Sequence, residues 1–165
     1  MKNSCLVGFF FFMLACGAQA SVEYTFDWDT KGLPFEVKTF HAPISMGDRV
    51  GEHGPLVDMV NMPVIDLLGK KKLKLEGSES AVLYLVIKNN GKKDIRFSVV
   101  PHSIEPVEAS LGLDFRCLCF GHIYTVKAGG LWYRIMKLHH TSPATGKSVI
   151  ALKHKIFEVK TKDQK

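Results

Sequence analysis

Residues 81–87 read Ala81-Val82-Leu83-Tyr84-Leu85-Val86-Ile87 and are the most strongly β-prone stretch of the chain. Branched aliphatic and aromatic side chains of this kind favour strands over helices. The stretch leads into Asn89-Asn90-Gly91, a sequence typical of tight hairpin turns. Residues 95–100, Ile-Arg-Phe-Ser-Val-Val, follow directly. The sequence therefore predicts two strands joined as a hairpin.

Strand-like patterns continue on both sides of this hairpin. Each segment is short, and turn residues separate it from the next. No segment shows a helical period. The further predicted strands are residues 22–28, 33–40, 113–124, 131–136, 148–152 and 155–159. Many short strands of this kind predict an all-β fold, an antiparallel β-sandwich.

Composition limits the possible classes of protein. The chain has 165 residues, of which 46% are hydrophobic and 23% are charged, and it carries a net charge of +6. These values predict one globular domain, residues 21–160, followed by a flexible tail, residues 161–165. Apart from the cluster at residues 70–74, the basic residues are scattered, so no nucleic-acid-binding stripe is predicted.

The N-terminus has the layout of a secretory signal peptide. A short basic start precedes an apolar run from Cys5 to Ala15, and Ala18-Gln19-Ala20 provides a cleavage site. We therefore expect residues 1–20 to be removed and the mature protein to be periplasmic or otherwise extracytoplasmic. The run is shorter than the roughly 20 apolar residues of a spanning helix. An uncleaved membrane anchor is the alternative.

Cleavage would leave two cysteines, Cys117 and Cys119, in the apolar segment Phe115-Arg116-Cys117-Leu118-Cys119-Phe120. In an extended strand, residues two apart point to the same face, so the two sulfurs would lie side by side. Paired thiolates select soft metals, above all Cu(I). They also suit thiol–disulfide exchange, because a disulfide in so small a loop is strained and easily reduced. The remaining interpretation is a pair of buried, inert cysteines.

Other soft or borderline ligands are candidates for completing a metal site. His122 lies three residues beyond Cys119, and His102 and Met136 are less certain candidates that only the fold could bring close. A set of one Cys, two His and one Met would make an electron-transfer copper site. The loop from residue 41 to residue 63 contains His41, Met46, His53, Met59 and Met62. Their spacing matches no ligand motif, so they are interpreted as ordinary loop residues.

The order of these features resembles a known family. It runs from a strand through Asn89-Asn90-Gly91-Lys92, a second strand and a Pro106-containing linker to Phe115-Arg116-Cys117-Leu118-Cys119-Phe120 and the Ala128-Gly129 turn. This region, roughly residues 81–136, resembles the CtaG-type copper-assembly factors of cytochrome c oxidase. Leu118 stands where that family has a phenylalanine between the cysteines.

The resemblance implies an immunoglobulin-like β-sandwich and a role as a copper chaperone. In the family, the cysteine pair binds Cu(I) destined for the CuB centre of the oxidase. By resemblance, Cys117 and Cys119 would hold the ion, and a homodimer could bridge copper at the cysteine strand. The expected partner is a copper-donating or copper-accepting protein, with a membrane oxidase as one candidate recipient.

Enzyme motifs are absent from the sequence. It contains no Gly-x-Ser-x-Gly, no His-Glu-x-x-His, no phosphate-binding loop and no dinucleotide fingerprint. We therefore predict a protein that is not an enzyme. Three hypotheses follow: an extracytoplasmic Cu(I)-binding protein, a thiol–disulfide redox protein, and a sandwich module that binds a protein partner.

Overall fold

The computed structural model describes residues 21–56, 66–67, 72–76, 78–118, 121–141 and 149–160. The predicted signal peptide (residues 1–20), the predicted tail (residues 161–165) and Cys119 lie outside these residues. No helix among the described residues is both long and apolar enough to cross a membrane.

Within the described residues the chain forms β-strands and two short 3₁₀ helices. The helices span Ile44–Arg49 and Val107–Ser110. The strands are β1 Ser21–Asp29, β2 Phe35–Ala42, β3 His53–Leu56, β4 Asp66–Leu67, β5 Lys72–Glu76, β6 Ser80–Asn89, β7 Ile95–Glu105, β8 Leu113–Arg116, β9 Tyr124–Val126, β10 Leu131–His140 and β11 Val149–Glu158.

The strands form two sheets. The first has the order β5-β1-β11-β7-β9, and the second has the order β3-β10-β6-β2-β4, with β8 also paired to β10. One apolar core contains side chains from both sheets, among them Leu83 and Leu85 of β6 and Leu152 and Ile156 of β11. This arrangement confirms the predicted all-β sandwich. It departs from a purely antiparallel one because β1 pairs with β11 in parallel.

The apolar stretch that begins at Ala81 forms the central strand β6 and is buried on both faces. Leu83, Leu85 and Ile87 point into the core between the sheets. Val82 and Tyr84 on the other face belong to a second cluster with side chains that include Met46 of the first 3₁₀ helix. A strand covered on both sides has no need of polar alternation, which explains its continuous hydrophobic run.

The predicted hairpin at Asn89-Asn90-Gly91 is wrong. β6 pairs with β10 and β2, whereas β7 pairs with β11 and β9, so the turn crosses from one sheet to the other. The reason lies in Asn89, which is fully buried and donates hydrogen bonds from Nδ2 to the carbonyls of Lys93, Val126 and Lys127. These bonds tie the crossing turn to β9 and to the turn after it.

The predicted cysteine strand, residues 113–124, is also wrong in extent. β8 ends at Arg116, and the next strand of the described chain, β9, begins at Tyr124. The amide of Cys117 donates to the carbonyl of Phe115 at 3.1 Å, and this tight turn takes Cys117 out of the ladder. Conversely, the two strands predicted at residues 148–152 and 155–159 form the single strand β11.

Candidate metal centre

Three potential ligands converge between the two sheets: His102, Cys117 and His154. One ligand atom from each, two imidazole nitrogens and the cysteine sulfur, lie within 4.8 Å of one another. Among the described residues, this is the one group of three or more His, Cys, Asp or Glu side chains with such geometry. The cluster contains no carboxylate.

His102 reaches the cluster because β7 contains a bulge. Lys153 of β11 pairs with Ser103, but Lys155 pairs with Val100, so β7 has one residue more than β11 at this point. The extra residue shifts the alternation of side chains by one position. Before the bulge the odd-numbered residues Phe97 and Val99 point inward, and after it the even-numbered His102 does. Bulges commonly redirect a side chain in this way beside functional sites.

His154 comes from β11, on the inward side shared by Leu152 and Ile156. The Trp28 ring stacks on its imidazole, with centroids 4.0 Å apart and planes 19° apart. Phe115 contacts the same ring edge-on at a centroid distance of 5.7 Å. His154 is only 1% exposed, and neither of its ring nitrogens has a hydrogen-bond partner within the described residues. Two aromatic rings therefore hold an imidazole whose polar atoms have no partner in the described protein.

Cys117 is brought to the cluster from the second sheet by the turn after β8. Its Sγ lies 3.5 Å from Nδ1 of His102. Its carbonyl accepts a hydrogen bond from Nη2 of Arg134 at 3.4 Å, and Nη1 of Arg134 donates to the carbonyl of Gly51 at 2.5 Å. Cys117 and Leu118 are both 1% exposed. Arg134 therefore anchors the buried cysteine turn to strand β10.

Burial keeps the two imidazoles neutral at ordinary pH. It lowers the pKa of His154 to about 3 from a usual value of 6.5, with a smaller lowering from charge on His102. The carbonyls of Leu152 and Asp27 lie near enough to oppose part of that shift, although neither meets the geometry of a hydrogen bond. Burial also lowers the pKa of His102. A neutral imidazole is the form that ligates a metal, so protons compete little for the two histidines of this site.

Cys117 is disulfide-bonded in the structure. The other cysteines of the chain, Cys5, Cys16 and Cys119, all lie outside the described residues, so the second sulfur of the bond does too. A thiolate is the metal ligand, and a disulfide sulfur is not one of comparable strength. The geometry thus describes the oxidised form of a site whose metal-binding form requires reduction.

The predicted site residues have different outcomes. His102 and Cys117 come together, whereas Cys119 lies outside the described residues. His122 is exposed and is not in the cluster; its carbonyl accepts a hydrogen bond from Ser98 Oγ, and its ring lies 6.1 Å from that of Tyr124. Met136 is fully buried in the inter-sheet core.

Sequence reasoning missed His154. The residue falls in the gap between the two strands predicted at residues 148–152 and 155–159. A continuous strand would have placed it on the apolar side with Ile150, Leu152 and Ile156. A histidine at an inward strand position is the signal that could have identified it.

Residues 22–159 match the family described as a domain of unknown function, DUF8709. The match covers most of the chain, and the chain belongs to this family. A search of curated proteins found no match.

Proposed function

We propose that this member of the DUF8709 family is an extracytoplasmic Cu(I)-binding protein that receives the ion from one protein and passes it to another. The observation that carries the proposal is the convergence of His102, Cys117 and His154 within 4.8 Å. The predicted signal peptide supports the location outside the cytoplasm. The proposal moves the predicted centre from a cysteine pair to a cluster of one cysteine and two histidines.

The charge of the cluster favours a monovalent ion. One thiolate and two neutral imidazoles carry a charge of −1, which Cu(I) neutralises. Zn²⁺ would leave a net positive charge in a buried site and would also require a fourth ligand for its tetrahedral geometry. A soft thiolate further selects Cu(I). Charge, ligand number and ligand softness all support copper in its reduced state.

The unequal burial of the ligands supports a role in transfer. Cys117 and His154 are 1% exposed, whereas His102 is only partly buried. An incoming ligand from a partner protein would therefore reach the ion on the His102 side. Replacement of His102 by the partner's ligand would begin the transfer, while Cys117 and His154 still held the ion.

A Cu(I) competition titration of the reduced protein against a chromophoric chelator tests the proposal. His154→Phe keeps an aromatic ring against Trp28 but removes both nitrogens. We expect it to weaken Cu(I) binding by at least about 100-fold, because losing a direct ligand should exceed the 10–100-fold effect of losing an outer-shell partner. His122→Phe, at an exposed histidine outside the cluster, is the control and should bind as the unmodified protein does.

The same titration includes Cys117→Ser/Cys119→Ser. If this double variant loses Cu(I) binding while His154→Phe retains it, the cysteine pair holds the ion and the His–Cys–His site is wrong. If neither variant changes the affinity, the copper proposal itself is wrong.

A second candidate function is electron transfer. One cysteine and two histidines are the trigonal donor set of blue-copper centres, which have a weak axial ligand in addition. The observation that favours it is the identity of the three converging side chains. Cu(II) added to the reduced protein should then produce an intense visible thiolate-to-copper absorption band. Rapid reduction of Cu(II) without such a band would favour the Cu(I) carrier.

A further inference from the structure

We infer that disulfide formation at Cys117 switches the metal site off, and that a dithiol reductant is the partner that switches it on. The inference rests on the proposed function, because it concerns the regulation of the same site. Its basis is that one sulfur has two incompatible roles. Cys117 is disulfide-bonded, yet its Sγ lies with nitrogens of His102 and His154 in ligand geometry.

The two states share one arrangement of side chains. With the disulfide present, Nδ1 of His102 is already 3.5 Å from Sγ of Cys117, and His154 is already fixed by Trp28. Reduction therefore releases a thiolate into a site whose two other ligands are in place. Little rearrangement is needed before a soft ion binds, which makes redox state the controlling variable.

Burial determines how the disulfide is reduced. Because Cys117 is 1% exposed, we place the attack of the reductant on the other sulfur of the bond. A thiolate of the reductant attacks that sulfur, the S–S bond breaks, and Cys117 leaves with the bonding electron pair as a thiolate. In the tautomer of neutral His102 that carries its proton on Nδ1, this N–H, 3.5 Å from Sγ, would be placed to donate to the thiolate.

The second thiol of the reductant then completes the exchange. It attacks the mixed disulfide, releases the other cysteine of this chain and leaves the reductant as a disulfide. Two electrons and two protons pass from the dithiol to this chain. If Cys117 has taken up its proton, binding of the metal displaces it. The reaction thus requires a reducing dithiol partner in addition to the source of copper.

The test compares oxidised and reduced protein in their affinity for Ag(I). Ag(I) has the charge and softness of Cu(I) but does not reduce disulfides. The full chain is used in a Cys5→Ser/Cys16→Ser background, so that the cysteines of the predicted signal peptide bind no metal and Cys119 is left as the disulfide partner of Cys117. We expect the reduced form to bind about one Ag(I) per chain and the oxidised form to bind at least about 100-fold more weakly.

His154→Phe is the matched control. It retains the cysteines, so thiol titration should show the same gain of thiols on reduction, but it lacks one ligand and should bind weakly in both forms. Bound Ag(I) should also slow reoxidation of the unmodified protein by diamide while leaving the rate for His154→Phe unchanged.

The outcomes separate the two proposals. Equal Ag(I) affinity of oxidised and reduced protein overturns the switch and leaves the metal site standing. Weak binding in both forms of the unmodified protein overturns the proposed function and the switch with it. Tight binding by the reduced form alone, lost in His154→Phe, supports both.

Discussion

Two histidines are buried between the sheets to the same extent, and their surroundings differ in one respect. His140 and His154 are each 1% exposed. Nδ1 of His140 is 2.7 Å from the Tyr24 hydroxyl, and Nε2 is 3.0 Å from the Leu111 carbonyl. Because a carbonyl only accepts, Nε2 carries the proton and Nδ1 accepts from Tyr24. His154 has no such partner at either nitrogen within the described residues.

The difference separates a structural histidine from a candidate ligand. Buried polar groups are normally hydrogen-bonded, and an exception needs an explanation. His140 needs none, because it links β1 to the loop before β8 through a fully satisfied pair of bonds. For His154, the explanation that we propose is a soft ion shared with His102 and Cys117, whose ligand atoms lie within 4.8 Å of one another and of His154.

The largest effect on stability should come from replacing His140, the buried histidine whose two ring nitrogens are both hydrogen-bonded. His140→Phe leaves the Tyr24 hydroxyl and the Leu111 carbonyl without their partner. We expect the free energy of unfolding to fall by about 3 kcal/mol, since an unsatisfied hydroxyl on buried Tyr24 costs about 1–3 kcal/mol and the hydrogen bond to the Leu111 carbonyl is lost as well. Urea denaturation at pH 7 measures this change.

A second substitution tests whether the hydrogen bond is the cause. Tyr24→Phe added to His140→Phe removes the orphaned hydroxyl and should restore roughly 1 kcal/mol. If Tyr24→Phe lowers the free energy of unfolding by the same amount in His140→Phe as in the unmodified protein, the two residues are not coupled. Packing, and not the hydrogen bond, would then explain the loss in His140→Phe.

The pattern of strands was largely predictable from the sequence, but their pairing was not. The alternation in β1 and the apolar run of β6 identify strands without reference to the rest of the chain. The hairpin prediction failed because Asn89-Asn90-Gly91 fits a tight turn locally. Its actual role depends on hydrogen bonds from Asn89 to carbonyls more than 30 positions away.

The site was half predictable for a related reason. Cys117 and His102 were identified by residue type, and their proximity depends on one extra residue in β7 opposite His154. A bulge moves every later side chain of its strand to the opposite face. It exists only relative to the paired strand, so it cannot be located from the sequence before the pairing is known. The alternation of β11 could have revealed His154, since one continuous strand places it inward.

The next largest effect is a pH dependence of the free energy of unfolding, and it tests directly whether His154 is buried in its neutral form. In the metal-free protein the pKa of His154 is lowered to about 3 by burial, whereas the unfolded chain should titrate near 6.5. Below pH 6.5 the unfolded state therefore binds a proton that the folded state does not. Stability is fully present above pH 6.5 and falls as the pH drops toward 3. Between pH 7 and pH 5 this group alone should lower the free energy of unfolding by about 2 kcal/mol.

Comparison with His154→Phe isolates that contribution. Other titrating groups remain in both proteins, so the variant should lose about 2 kcal/mol less than the unmodified protein over the same interval. Urea denaturation at pH 7 and pH 5 gives the four values required. Parallel pH profiles for the two proteins would contradict a buried, neutral His154.

The smallest expected effect has the opposite sign from most core substitutions. At pH 8, where His154 is neutral in both states, His154→Phe replaces two unpaired buried nitrogens with carbon and keeps a ring stacked on Trp28. We expect the metal-free, disulfide-bonded protein to gain about 1 kcal/mol in free energy of unfolding, because an unsatisfied buried polar group is removed. A loss of about 1 kcal/mol or more would mean that the ring nitrogens are already satisfied within the protein. A gain in stability together with a loss of Cu(I) affinity would show that this histidine is present for binding and not for the fold.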